Sequence, residues 1–119
     1  ELRREDVAAR LGGDEFLVLL SSLGTDEAEA GKRAVTVAER LRTAICTPVS
    51  MGGTKLSVGC SIGVTVFPKA GSPDADPLWE ADTAMYIAKR RGTNEIELYR
   101  EGADGEVHAP EGERRAANR

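Results

Sequence analysis

The stretch VAARLGGDEFLVLL, residues 7–20, carries the strongest indication of how this chain folds. Two apolar runs, 7–11 and 16–21, flank a Gly-Gly-Asp-Glu bend. Because glycine adopts the backbone conformations that tight turns require, the pattern predicts two strands joined by a hairpin. The second run is apolar on both faces, which is typical of a strand buried in the middle of a sheet.

Two helices are predicted from apolar residues at helical spacing. The first spans 26–46 and can be capped by Thr25 or Asp26. Its apolar stripe consists of Ala34, Ala38, Leu41 and Ile45. The second spans 78–91 and ends at Gly92. Its stripe consists of Leu78, Ala81, Met85 and Ala88.

Residues 55–67, KLSVGCSIGVTVF, alternate between large apolar and small side chains. This period of two predicts one long strand. Its small-residue face includes Gly59 and Gly63, so we expect another element to pack very close to the backbone there. A last short strand is predicted over 95–99. The order of elements indicates an α/β (α+β) sandwich with a mostly antiparallel sheet.

The bulk composition is that of an ordinary globular domain. The 119 residues carry a formal charge of −4, which argues against a nucleic-acid polymer as partner. Cys46 and Cys60 lack the neighbours of a metal site, and we interpret both as buried or half-buried thiols. No apolar run reaches the ~20 residues that span a bilayer. The chain begins without Met, and we interpret it as a piece of a longer protein.

The segment 100–119 has almost no large apolar residues. Gly, Glu, Arg and Ala dominate it, so we predict a disordered tail or linker. His108 lies in this segment without neighbours that could complete a metal site, and we do not expect it to be a ligand.

The adjacent acids Asp14 and Glu15 allow two interpretations. Exposed turns often contain glycine and acidic residues for structural reasons alone. Alternatively, a divalent cation would relieve the repulsion of the two carboxylates, because Mg²⁺ prefers hard oxygen ligands and is often shared with substrate phosphates. Lys89, on the second predicted helix, is a candidate phosphate partner.

Three motifs in the right order resemble the GGDEF family of diguanylate cyclases. They are GGDEF at 12–16, SIGVTVFP at 61–68 and ADTAMYIAKRRGTN at 81–94. The resemblance covers 1–99, a partial domain that corresponds to roughly the second half of a family domain. It implies an adenylyl-cyclase-like, ferredoxin-like sandwich. The N-terminal part of that sandwich is missing here, and the further metal-binding and guanine-recognising residues of the family would lie in the missing part.

The resemblance implies that two GTP molecules are condensed into cyclic di-GMP and two pyrophosphates at the interface of a homodimer. Asp14 would be catalytic and would ligate Mg²⁺ (or Mn²⁺), with Glu15 beside it as a second catalytic and metal-binding carboxylate. Gly12 and Gly13 would leave room for the nucleotide, and Lys89 would contact its terminal phosphates. It further implies a bacterial signalling enzyme in the cytoplasm with an upstream sensor domain; any membrane anchor would lie in the missing N-terminal region.

Two further features bear on activity. Arg3 and Asp6 fit the family's Arg-x-x-Asp product-inhibition site, which would bind cyclic di-GMP. Thr93 stands where many family members have an arginine that holds phosphates, so weaker GTP binding is expected.

The fragment is expected to be inactive alone. The alternatives are a degenerate family member that senses cyclic di-GMP or GTP, and a purely structural domain with an incidental acidic turn.

Overall fold

The structure is a computed structural model, and it describes residues 3–12 and 15–101. In chain order the elements are β1 (Val7–Gly12), β2 (Glu15–Leu19), α1 (Glu27–Cys46), β3 (Val49–Met51), β4 (Thr54–Leu56), β5 (Ile62–Val64), α2 (Pro77–Arg91) and β6 (Ile96–Leu98). The strands pair two by two. β1 is antiparallel to β2 and β3 is antiparallel to β4, whereas β5 is parallel to β6.

Both helices begin at an aspartate that caps the first turn. The Asp26 side chain accepts a hydrogen bond from the backbone N–H of Ala28 at 3.0 Å, which confirms one of the two predicted caps. Asp76 does the same for Leu78 at 3.0 Å, and Pro77 occupies the first helical position. Each cap satisfies N–H groups that have no partner within the helix.

The core lies where α1 and α2 pack against the β5–β6 pair. Small side chains dominate it: Ala30, Ala34, Ala38, Ala84 and Ala88 are buried, together with Ile87. The predicted α1 stripe is wrong at its C-terminal end, because Ile45 is 49% exposed. The buried residues of α1 end at Ala38, because a helix of 20 residues extends well beyond strands of three residues and its C-terminal end is only partly covered.

Glycine at position 63 allows the backbone of α2 to lie directly on β5. A β-carbon at Gly63 would overlap the carbonyl oxygen of Ala81 and the backbone nitrogen of Met85, and it would lie 2.9 Å from the Met85 Cα. Such overlap with backbone atoms cannot be relieved by turning a side chain. The predicted close approach to the small-residue face of this strand is therefore confirmed, and the approaching element is α2.

The predicted stripe of α2 is only partly correct. Leu78 is 50% exposed, whereas Glu80 and Thr83 are buried. Glu80 is buried because its carboxylate lies 2.5 Å from the Lys69 ammonium and accepts a hydrogen bond from the Thr65 hydroxyl at 2.8 Å. A buried charge is tolerated when it is paired and hydrogen-bonded. A prediction that counts only apolar residues misses the Lys69–Glu80 pair, and the predicted face of α2 is therefore rotated away from the face that is buried.

The single strand predicted over 55–67 is wrong. The structure has a β3–β4 hairpin, then an irregular stretch, and then the short β5. Gly52 and Gly53 have φ angles of +57° and +83°, and two successive positive φ angles form the two-residue turn that favours hairpins. This turn sets the pairing of Met51 with Thr54 and draws residues 54–56 away from the line of β5.

The buried central position predicted for β2 is also not observed. Phe16 is 68% exposed and Leu19 is 41% exposed. Among the described residues β2 pairs with β1 alone, and neither helix packs extensively against this hairpin. The apolar run shows that both faces are suited to burial, but it does not specify what covers them.

Within residues 3–12 and 15–101, neither helix combines the length and the apolar character needed to cross a membrane.

The Gly63 contact leads to a stability prediction. Gly63→Ala should lower the free energy of unfolding by about 3 kcal/mol, the upper end of typical overpacking costs, because the added methyl meets backbone rather than a movable side chain. Gly71→Ala is the matched control, since nothing lies within 4 Å of the added carbon there. Denaturant unfolding of both variants measures the difference. Equal stability of the two variants would contradict the packing described.

Candidate functional site

Gly12 and Glu15, the first and last residues of the acidic bend 12–15, pair at the end of the β1–β2 hairpin. Arg10 pairs with Phe16 and Gly12 pairs with Glu15, with a shift in register between Arg10 and Gly12. Gly12 has a φ of +149°, a conformation that L side chains rarely adopt. Local twisting at such a shift is a common way of aiming side chains at the end of a strand pair. The hairpin therefore presents Glu15, half-buried, opposite a bare glycine backbone.

The predicted site residues do not all lie in the described part of the chain. Gly13 and Asp14, together with His108 and the tail beyond residue 101, lie outside it. Gly12 and Glu15 are brought together as a strand pair. Lys89 is exposed in the last turn of α2, beside Arg90 and Arg91, on a helix that packs chiefly against β5 and β6.

Arg3 and Asp6, the predicted inhibitory pair, are joined by a compact turn. The Asp6 carboxylate accepts hydrogen bonds from the backbone N–H of Arg3 at 2.8 Å and from that of Ser21 at 3.2 Å. The Arg3 guanidinium lies 3.9 Å from the same carboxylate, donates to the Ser21 carbonyl oxygen, and lies 3.4 Å from Glu5. The pair therefore fastens the entry of β1 to the exit of β2.

The two members of this pair differ in access to solvent. The Arg3 side chain is 50% exposed and the Asp6 side chain is 3% exposed. The backbone N–H of Arg3 is the main reason that the pKa of Asp6 is lowered below 3.8, with Ser21 and the Arg3 charge adding to it against the opposing effect of burial. Asp6 is thus ionised at neutral pH and is mainly committed to holding the turn, while Arg3 faces solvent.

A divalent cation fits the chemistry of Glu15, the carboxylate of the bend that the structure describes. Carboxylate oxygens are the ligands that Mg²⁺ and Mn²⁺ prefer, and Mg²⁺ commonly needs only one or two of them together with substrate phosphates. Glu15 supplies one such group at the bend. Among the residues described, no three acidic, His or Cys side chains cluster into a ready-made metal cage. A carboxylate such as Glu15 can hold a cation together with further ligands, and substrate phosphates are common ones.

Two polar clusters were not found by sequence reasoning. One is the Lys69–Glu80–Thr65 group, in which the Lys69 ammonium also donates to the Val66 carbonyl oxygen at 2.7 Å. The other joins Cys46, Cys60 and Asn94. Charged residues are usually assigned to the surface, so nothing in the pattern marked Lys69 or Glu80 as buried. Asn94, with a φ of +63°, is the kind of residue that accepts this conformation after a helix.

Comparison with known proteins settles the family. A family model described as "Diguanylate cyclase, GGDEF domain" matches residues 1–95. The chain belongs to the GGDEF family. It is similar to diguanylate cyclase TpbB of Pseudomonas aeruginosa, with 38% identity over 92 residues, which is 76% of this chain and 20% of that protein. It is also similar to cyclic di-GMP phosphodiesterase PdeR of Escherichia coli, with 37% identity over 95 residues, which is 80% of this chain and 14% of that protein.

The solved GGDEF structures confirm the fold class. The chain matches a structure of TpbB from Pseudomonas aeruginosa that comprises only the GGDEF domain, with a TM-score of 0.75 and 34% identity. The match covers 91% of this chain and 60% of that one. The predicted adenylyl-cyclase-like class is therefore correct. The chain spans about a fifth or less of the curated relatives named above, which are much longer proteins.

The hydrogen bonds of Asp6 lead to a pH prediction. The Asp6 carboxyl should titrate below 3.8 in the folded protein, and it should still do so in Arg3→Ala, because that variant keeps the backbone N–H that contributes most. NMR titration of the side-chain carboxyl carbon measures this.

The same titration has a consequence for stability. Because folding lowers the pKa of Asp6, the ionised carboxylate stabilises the fold at every pH above the pKa that Asp6 has in the unfolded chain. This stabilisation is lost as the pH falls through the lower pKa of the folded protein. A titration at or above 3.8 would contradict the hydrogen bonds described.

Proposed function

We propose that the full-length protein is a diguanylate cyclase that condenses two GTP molecules into cyclic di-GMP and two pyrophosphates. The observation that carries the proposal is the intact acidic bend on the hairpin of a GGDEF domain, with Gly12 opposite Glu15. In each half of the reaction, the 3′-hydroxyl of one GTP attacks the α-phosphorus of the other. The bond from that phosphorus to the pyrophosphate oxygen breaks, and the hydroxyl proton is released.

Each residue of the bend has a distinct part in the proposal. Gly12 and Gly13 let the nucleotide approach the backbone, where a side chain would block it. Asp14 and Glu15 would hold the Mg²⁺ or Mn²⁺ ion, and Asp14 would help to activate the attacking hydroxyl. When bound, the ion offsets phosphate charge and makes a hydroxyl more acidic. Lys89, exposed on α2, contacts the terminal phosphates as a mobile positive charge.

Two such domains are needed because each one holds a single GTP. We propose that the active form is a homodimer in which the two acidic bends face each other. An upstream sensor domain of the parent protein would control this encounter, and the site would work in the cytoplasm, where GTP is available. The 119-residue chain alone is proposed to be inactive, since it corresponds to only 60% of the GGDEF-only structure of TpbB.

Thr93 is proposed to weaken the hold on GTP without abolishing it. It is exposed in the turn after α2 and lies close to Gly59. A β-carbon added at Gly59 would lie 3.5 Å from the Thr93 Cβ. A threonine hydroxyl offers a neutral hydrogen bond, whereas an arginine would offer a charge-assisted one of roughly twice the strength.

Arg3 and Asp6 are proposed to bind cyclic di-GMP as an inhibitor. The exposed Arg3 guanidinium suits a phosphate or a guanine edge, since both accept paired hydrogen bonds. Asp6 would accept from guanine, but its low exposure makes holding Arg3 in place its larger contribution.

A second candidate function is a sensor that binds cyclic di-GMP or GTP without turnover. The similarity to PdeR supports this second candidate, because PdeR is named for phosphodiesterase activity and not as a cyclase. The intact Gly-Gly-Asp-Glu bend favours the cyclase.

The direct test is product formation by the full-length protein given GTP and Mg²⁺, compared with Asp14→Asn. The unchanged protein should form cyclic di-GMP, and Asp14→Asn should be slower by roughly 100-fold or more, because an electrostatic group at the reacting phosphate is lost. Asp74→Asn, at an exposed loop position, is the matched control and should keep full activity. Binding of GTP or cyclic di-GMP without turnover, by a folded dimer, would favour the sensor instead.

Inhibition is tested separately. Arg3→Ala should let product accumulate beyond the level at which the unchanged protein stalls, with the initial rate retained, because this residue lies at the entry of β1 and not at the bend. Arg40→Ala, on the exposed surface of α1, is the control and should stall as the unchanged protein does. An unaltered stalling level in Arg3→Ala would contradict this part of the proposal.

A further inference from the structure

The two cysteines of the described chain meet in space, although 14 positions separate them in sequence. Cys46 is the last residue of α1, and Cys60 lies just before β5. Their sulfur atoms are 3.6 Å apart, both residues are half-buried, and neither is in a disulfide. The sulfur atoms are therefore in van der Waals contact, at the point where the end of α1 passes the start of the core strand pair.

Asn94 holds this contact from a third element. Its side-chain oxygen accepts from the Cys60 backbone N–H at 2.9 Å and from the Cys46 thiol at 3.2 Å. Its carbonyl oxygen accepts from the Arg42 guanidinium at 3.0 Å. Because both cysteines are tied to one fixed turn, the thiols are kept adjacent instead of meeting by chance.

We propose that Cys46 and Cys60 form a redox modification site, in which a hydroperoxide converts the two thiols into a reversible disulfide. A disulfide needs its sulfur atoms about 2.05 Å apart. The closing movement of about 1.5 Å from the present separation is within reach of side-chain rotation and small backbone adjustment. This proposal does not rest on the nucleotide chemistry proposed above, and none of its residues belongs to the acidic bend.

The reaction balances with hydrogen peroxide as the oxidant. The Cys46 sulfur attacks one peroxide oxygen, the O–O bond breaks, and Cys46 sulfenic acid and water are formed. The Cys60 sulfur then attacks the Cys46 sulfur, loses its proton, and displaces hydroxide, which leaves as a second water. Burial, reinforced by Cys46, raises the pKa of the Cys60 thiol to about 11. Cys60 therefore stays protonated until the sulfenic acid forms beside it, and it acts as the resolving thiol.

The disulfide would have a structural consequence. It would close a loop that contains the whole β3–β4 hairpin and would join the end of α1 to the segment that leads into β5, the strand on which α2 packs. On the chain-entropy account, a loop of this length shifts the folding equilibrium by roughly 100-fold. The Cys46 thiol would also cease to donate to Asn94, leaving the turn after α2 held by Cys60 and Arg42.

The test is peptide mapping of the full-length protein after treatment with hydrogen peroxide. Trypsin places the two cysteines on separate peptides, 43–55 and 56–69, so the disulfide joins two identifiable fragments. The joined pair should have the summed mass less two hydrogens and should separate on treatment with dithiothreitol. It should form roughly tenfold or more faster in the folded protein than in concentrated urea, because the fold holds the thiols in contact.

Cys60→Ser is the matched control, and it should stop at an oxidised Cys46 with no joined peptide. The proposal would be overturned if peroxide left both thiols open to alkylation. It would equally be overturned if each thiol were oxidised singly, or if the joined peptide formed as fast in urea as in the folded protein.

Discussion

The direct seating of α2 on the backbone of β5 at Gly63 is the constraint on which the rest of the core depends. β5, α2 and β6 form a β-α-β unit with parallel strands, and parallel strands need such a helical crossover between them. Only a residue without a side chain allows this helix to lie so close. Once α2 is seated, the alanines of α1 complete the core from the same strand pair. A core built from alanines gains its stability from close backbone approach instead of from large buried side chains.

The polar groups beside this core are arranged to keep α2 in place. Glu80, in the first turn of the helix, is buried because Lys69 and Thr65 satisfy its carboxylate. At the other end, the Arg91 guanidinium is paired with Glu97 on β6. A buried ion pair adds little net stability, because both charges lose their hydration. Separating the two partners is costly, however, since one charge is then left uncompensated, and each pair therefore keeps its segment of α2 in place. The exposed Lys89 is thus presented from a helix that is fixed at both ends.

Local patterns predicted much of this architecture, and they failed where the outcome depends on distant partners. Both helices, the first hairpin and the close approach at Gly63 follow from spacing, capping and small residues alone. The strand over 55–67 failed because a two-glycine turn at 52–53 competes for its first residues. The burial of Glu80 and the contact of Cys46 with Cys60 depend on residues far apart in sequence, which periodicity cannot reveal. The motif itself identified the family, yet Asp14 lies outside the described residues.

We propose that two acids share one bend because a metal ion and a nucleotide bind over it. The most direct measurement is anomalous diffraction from crystals of the full-length protein grown with Mn²⁺ and a non-reactive GTP analogue. The account predicts an anomalous peak at about 2.2 Å from a carboxylate oxygen of Asp14 or Glu15. A bound nucleotide with its metal ion elsewhere, and none at the bend, would contradict it.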